Sequence, residues 1–303
     1  MHLHNKIGFW EKDKAGLPVF NYTGNLPDQA FLSDGSLAKL PDDPWFILGN
    51  YKFTLFMHAS GEYELLDGQR SWARLNHAKN PPISFYSPWG KMKDDRHMNF
   101  GGNEAKIQID GETTLLTGFN SVCADSSLSE RRFACGYAEF NYRLEDDVKR
   151  KISVLPSKNP YDGFSCFLLT LSVKNNGAKS KQYCYEESTL VHYKELQYQM
   201  IEDEQHKVKY DYEALFEKNI AGVKITSSSD EPVIPELDEM SRVEYYPPFV
   251  FIAKVSEGEG EREGDGAVVY ADPHKITYKN DFSLGVGQEK TMQFIVGFSR
   301  EGT

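Results

Sequence analysis

Apolar and polar residues alternate with a period of two through much of this chain, as in Gly136-Tyr137-Ala138-Glu139-Phe140-Asn141-Tyr142-Arg143 and Lys207-Val208-Lys209-Tyr210-Asp211-Tyr212. Successive side chains of a strand point to opposite faces, so this period marks half-buried β-structure, and aromatic and β-branched residues suit such a pleated surface. The pattern predicts strands at 45–48, 51–57, 61–66, 71–77, 104–110, 113–119, 131–144 and 148–155. It predicts further strands at 181–193, 221–227, 249–256, 267–271 and 290–298, and turns with short strands over 17–40. The pair 51–57 and 61–66 reads as a hairpin around His58-Ala59-Ser60, and the apolar run 163–173 as a central strand covered on both faces. Residues 194–219 mix two periods and are read as mainly strand, with a short helical turn over 212–219.

About fifteen short strands at regular spacing, with almost no helical period, define an all-β chain. Seven strands would not use 303 residues, so the expected architecture is a large two-sheet antiparallel β-supersandwich, with residues 1–303 forming a single domain. The Gly- and Glu-rich stretch 257–266 is read as a solvated hairpin tip.

The formal net charge of -11 argues against a nucleic-acid partner, because a phosphate backbone calls for a basic footprint. The N-terminus lacks the apolar core of a leader and no run is long enough to span a bilayer, so a cytoplasmic protein without a membrane partner is expected. Cys123, Cys135, Cys166 and Cys184 lie far apart, with no CxxC and no His at ligand spacing. They are read as reduced core or strand residues; no metal and no cofactor is expected.

No phosphate loop, HExxH or GxSxG is present. Asp42-Asp43, Asp94-Asp95, Asp146-Asp147 and Glu186-Glu187 are adjacent carboxylates, but neighbours in a strand face opposite ways, so none makes a glycosidase pair by itself. His192, following a strand, is an acid or base candidate with Glu187 (or Glu186) as its partner, in the manner of a sugar epimerase. The long irregular segment 81–102 holds Trp89, Arg96, His97, Asn99 and Phe100, which together offer a stacking face, a bidentate donor and amide hydrogen bonds to a β-glucan or oligosaccharide. Trp45 and Trp72 fall in strand patterns and are read as core.

Asn21-Tyr22-Thr23-Gly24-Asn25, the stretch Ala59 to Gly68, Ile152-Ser153-Val154-Leu155-Pro156 leading into Leu169 to Asn176, and Gly287 to Phe298 together resemble the N-terminal domain of cellobiose-phosphorylase-like enzymes of glycoside hydrolase family 94 (formerly glycosyltransferase family 36), including the 1,2-β-oligoglucan phosphorylases. The resemblance implies a galactose-mutarotase-like supersandwich, followed in the family by a helical linker and an (α/α)6 barrel that carries the general acid and the phosphate site. No catalytic residue can be carried over, because the barrel has no counterpart among these residues. What it implies here is a non-catalytic domain that packs against a helical catalytic barrel in cis or in trans, supports homodimer formation and can lend a loop to a sugar site; 81–102 is the candidate loop. Such a domain is expected to show an apolar docking patch. A self-sufficient mutarotase-like epimerase and a carbohydrate-binding module are the alternatives.

Overall fold

In a computed structural model of the chain, the described residues are 7–26, 45–67, 73–76, 102–156, 158–159, 163–193, 210–227, 248–255 and 266–299. They form nineteen strands: β1 (Gly8–Lys12), β2 (Pro18–Tyr22), β3 (Trp45–Gly49), β4 (Phe53–His58), β5 (Tyr63–Asp67), β6 (Ala73–Arg74), β7 (Asn103–Ile109), β8 (Glu112–Leu115), β9 (Ser129–Ala134) and β10 (Tyr137–Arg143). The others are β11 (Asp147–Val154), β12 (Cys166–Lys174), β13 (Lys181–Leu190), β14 (Tyr210–Glu217), β15 (Ile220–Ser227), β16 (Phe249–Lys254), β17 (Gly266–Asp272), β18 (Lys275–Leu284) and β19 (Glu289–Ser299). One 3-10 turn, Val122–Ala124, is the sole helical element among the described residues.

The strands make three antiparallel sheets. One has ten strands in the order β1-β2-β9-β10-β11-β12-β19-β16-β15-β14, one has five in the order β17-β18-β13-β7-β8, and one has four in the order β3-β4-β5-β6. The two smaller sheets share a single layer against the large one. Tyr63 of β5 meets Phe167 of β12 edge-on at 5.1 Å, and Tyr278 of β18 stacks on Phe294 of β19 at 4.2 Å. The small sheets are joined to each other by a parallel bridge between Asn76 and His192 and by Tyr63 Oη against Thr189 Oγ1 at 2.6 Å. The fold is therefore the all-β sandwich that the alternation implies, with its second layer divided in two.

Three expected elements change. The strand expected at 131–144 is two strands, because the chain reverses at Gly136, whose φ of 91° is in the left-handed region that glycine enters without a Cβ penalty. The helical turn expected over 212–219 is instead the strand β14, paired with β15 from Tyr210↔Ser227 to Glu217↔Ile220; a full ladder of cross-strand bonds outweighs the local apolar spacing. The strand expected at 113–119 ends at Leu115, beyond which Thr117 turns inward and its hydroxyl accepts from Ala105 N. The stretch 256–265 and Trp72 lie outside the described residues. Trp45 is half-buried, edge-on to Phe56 and 4.9 Å from the His58 ring. All four cysteines are free; Cys123 and Cys166 are buried, Cys184 is partly buried, and Cys135, next to the Gly136 reversal, is exposed and no core residue.

Among the described residues no helix is long and apolar enough to cross a membrane.

Candidate functional site

Of the residues singled out for chemistry, Trp89, Arg96, His97, Asn99 and Phe100 lie outside the described residues. Glu187 and His192 are described, and their surroundings differ. Inward positions of β13 are odd-numbered, so Glu187 shares the core face with Tyr183 and Tyr185, while Glu186 faces out to Lys106 at 3.0 Å. The fully buried Glu187 carboxylate accepts from Arg150 Nε at 2.9 Å, Arg150 Nη2 at 2.6 Å, Tyr185 Oη at 2.5 Å and Asn103 Nδ2 at 3.3 Å. Arg150 Nη1 donates to Gly61 O at 3.0 Å, which ties the large sheet to the turn between β4 and β5. Facing Glu187 raises the Arg150 pKa well above its ordinary value against the effect of burial; burial, reinforced by the Glu187 charge, pushes the Tyr185 hydroxyl well above its own. A carboxylate with both oxygens engaged in this way has no lone pair turned toward a substrate proton.

His192 lies just past β13, half-buried, its backbone N donating to Leu75 O at 2.9 Å. The epimerase pairing of His192 with Glu187 thus joins a residue beyond the strand end to a carboxylate already committed inside the core.

A second polar group, not anticipated from sequence, occupies the turn between β4 and β5. His58, Ser60 and Glu62 are all buried. Ser60 Oγ lies 2.8 Å from His58 Nδ1 and donates to Glu62 Oε2 at 2.8 Å, and Ser60 N donates to His58 Nδ1 at 3.1 Å. The residue types match a nucleophile set, but the order does not: a triad needs the carboxylate on the base, and here it is on the serine. Burial, with the charge of Arg131, lowers the His58 pKa to about 3, so the imidazole is neutral at ordinary pH. The group locks a tight turn. Spacing in the sequence does not announce it, because the chain reverses within the turn at Gly61 (φ 81°) and strand parity does not apply there.

Asp146 is likewise interior, accepting from Lys181 Nζ at 3.0 Å and Tyr183 Oη at 2.9 Å, whereas Asp147 is exposed. Among the described residues, no three His, Cys, Asp or Glu side chains gather as a metal site would require.

The described surface is more distinctive than the interior. The outward face of the ten-stranded sheet has two halves. Across β1, β9, β10 and β11 runs a charge ladder, Glu11 to Arg132 at 2.7 Å, Arg132 to Glu139 at 3.2 Å and Glu139 to Lys149 at 2.9 Å. Across β12, β19, β16 and β15 the outward row is Leu168, Ile295, Ala253 and Ile220. In the next row Gly297, Phe251, Gly222 and Leu215 follow one another across β19, β16, β15 and β14. Phe249 stacks beside Phe251 at 6.2 Å and lies over Gly222, where an added Cβ would meet its ring at 2.1 Å. Ile220 and Leu215 are 45% and 41% exposed. A solvated sheet face normally alternates polar residues outward, as the first half does; in the second half Thr170 with Gln293, Ser172 with Thr291 and Glu213 with Lys224 keep that pattern, and these two apolar rows interrupt it.

No protein-family model matches the chain, and a search of curated proteins finds no match. Among solved structures, it is similar to a protein described as a kojibiose phosphorylase from the human microbiome (9% identity, TM-score 0.45, covering 96% of this chain and 33% of that one). It is also similar to heparan sulfate lyase HepC from Pedobacter heparinus (11%, TM-score 0.38, 89% and 39%) and to a protein described as an aldose 1-epimerase from Escherichia coli K12 (8%, TM-score 0.40, 86% and 100%). The chain thus spans about a third of the length of that phosphorylase and two fifths of that lyase. The phosphorylase is named for kojibiose, not for cellobiose or a 1,2-β-oligoglucan.

Proposed function

We propose that this chain is a non-catalytic β-sandwich domain of a carbohydrate-active enzyme, of the β-glucan phosphorylase kind (glycoside hydrolase family 94 at its finest), that packs against a helical catalytic barrel present in cis or in trans. In this reading 81–102, with Trp89, Arg96, His97, Asn99 and Phe100, is the segment lent to the sugar site. The observation that carries the reading is the apolar patch on the large sheet's outward face, built from Leu168, Ile295, Ile220, Phe251, Phe249 and Leu215. Contiguous apolar surface of this kind marks an interaction site, and it lies on the sheet whose inward face already fills the core. The enclosure of Glu187 and His58 in the interior supports the non-catalytic part.

The isolated chain is expected to release no sugar phosphate from β-linked gluco-oligosaccharides in inorganic phosphate, and to leave glucose anomers interconverting at the buffer rate by NMR. Turnover above background in either assay would sink the reading. Phe251→Asp with Leu215→Asp is expected to cut the fluorescence of a bound apolar dye by at least half while leaving the far-ultraviolet spectrum unchanged. Equal dye binding would show that the face is no docking surface.

A further inference from the structure

Arg131 differs from the other interior cations. It lies on the inward face of β9, 1% exposed, in one row with Phe140 of β10 and Arg150 of β11. Arg150 has the Glu187 carboxylate on two of its nitrogens. Arg131 has no such counter-charge among the described residues. Its Nη2 donates to Gly24 O at 2.6 Å, the Tyr22 ring lies 4.7 Å from its Cζ, and Nε and Nη1 are buried with no hydrogen-bond partner. Of the acidic groups whose charges reach it, Cys123 is a buried thiol pushed up to about 12 by burial and so is neutral, and Asp125 is held in its own turn, accepting from Ser127 N at 2.7 Å.

A guanidinium left unpaired in an interior is among the costliest arrangements a fold can contain, and unmet N–H donors add to that cost. We infer that Arg131 is the core of an interior binding site for one small monovalent anion of the halide kind, taken up as the chain folds. Charge limits the valence. Arg150 is already neutralised by Glu187, and the Glu62 carboxylate, buried and accepting from Ser60 Oγ, is a further negative charge of the region, so a divalent phosphate or sulfate is disfavoured far more than a monovalent anion bonded to the open Arg131 donors. Low hydration favours a halide, because the Tyr22 ring and the neutral Cys123 thiol near Arg131 offer few groups to replace a strong hydration shell. His58, close enough for its protonation to be opposed by Arg131, is neutral and adds no second charge.

Thermal unfolding at constant ionic strength, with chloride exchanged for gluconate, tests this. The melting temperature is expected to rise with the logarithm of chloride concentration, by about 2 °C or more for each tenfold increase above the dissociation constant. Arg131→Met is expected to lose that dependence. Crystals of the unaltered chain soaked in bromide are expected to show an anomalous peak beside Nε or Nη1 of Arg131, and this arm decides the matter if the variant does not fold. Equal melting temperatures in chloride and gluconate, an undiminished chloride effect in Arg131→Met, or bromide-soaked crystals without a peak at Arg131 would each overturn the inference.

Discussion

Glu187→Gln is expected to destabilise this chain by about 3–5 kcal/mol, because it removes the one carboxylate that faces a buried guanidinium. The substitution keeps the shape of the side chain and one acceptor oxygen, so little of the loss would come from packing. What changes is charge: Arg150 stays fully buried, its Nη1 on Gly61 O and its Cζ 5.8 Å from the Phe140 ring, with no other carboxylate paired to it among the described residues. A loss of that size corresponds to a fall in melting temperature of about 5–8 °C in a chain this long. The double variant Glu187→Gln, Arg150→Met is expected to recover most of the loss, since replacing both members of a buried ion pair by neutral groups is often nearly neutral in free energy. Urea denaturation of the two variants and the parent measures both quantities. A single-variant loss below about 1 kcal/mol would mean that the pair is hydrated and open, which would return Glu187 to the list of groups able to meet a sugar. The same experiment separates the two roles: a general base would lose turnover with stability intact, whereas an interior counter-ion loses stability first.

The architecture was legible wherever one strand carries its own burial signal. β12 is apolar enough to announce a central strand, and it does lie near the middle of the ten-stranded sheet between β11 and β19. The hairpin of β4 and β5 was readable from two apolar runs around a short polar turn. β18 was not read as a strand, because its inward row includes Asn280 beside Ile276, Tyr278 and Phe282, and polar Thr277 is buried on the other face. Those polar residues are covered by neighbouring strands that no local window contains. β14 was misread in part for the same reason: its fate is settled by β15, not by its own spacing. The interior polar groups divide in the same way. Ser129-Glu130-Arg131-Arg132-Phe133 places Arg131 on the face of Phe133 and Arg132 on the other by parity alone, so the buried arginine could have been found. Its lack of a carboxylate, and the possession of one by Arg150, could not, since Glu187 is 37 residues away from Arg150 and only the packing of the two layers brings them together. The apolar outward face has the same origin: Leu168, Ile295, Phe251 and Leu215 come from four strands, and no one of them is unusual until the register sets them side by side.

His58 gives the chain a pH dependence whose sign is fixed by its burial. In the folded chain its pKa is lowered to about 3 from an ordinary value of 6.5. Above pH 6.5 the ring is neutral in both states and its contribution is fully present. Below that, the unfolded chain takes up a proton that the folded chain refuses, so stability is lost at about 1.4 kcal/mol per pH unit until the pH reaches about 3. The carboxylates held by cations, Glu130 and Glu139, have lowered pKa values and weaken the fold only below the usual carboxylate range. The interval from pH 6.5 to 4.5 therefore belongs to His58 before it belongs to them, and a loss of about 2–3 kcal/mol is expected across it. His58→Asn keeps an acceptor for Ser60 N near the place of Nδ1 but cannot titrate. It should be less stable than the parent at pH 7.5, because the ring contacts with Trp45 at 4.9 Å and Phe119 at 5.7 Å are gone. It should also be nearly flat in stability from pH 6.5 to 4.5, so that the difference between the two chains shrinks as the solution is acidified. Urea midpoints at half-unit steps of pH give both curves. Parallel curves would place the proton elsewhere, and would mean that the turn between β4 and β5 admits water to the imidazole.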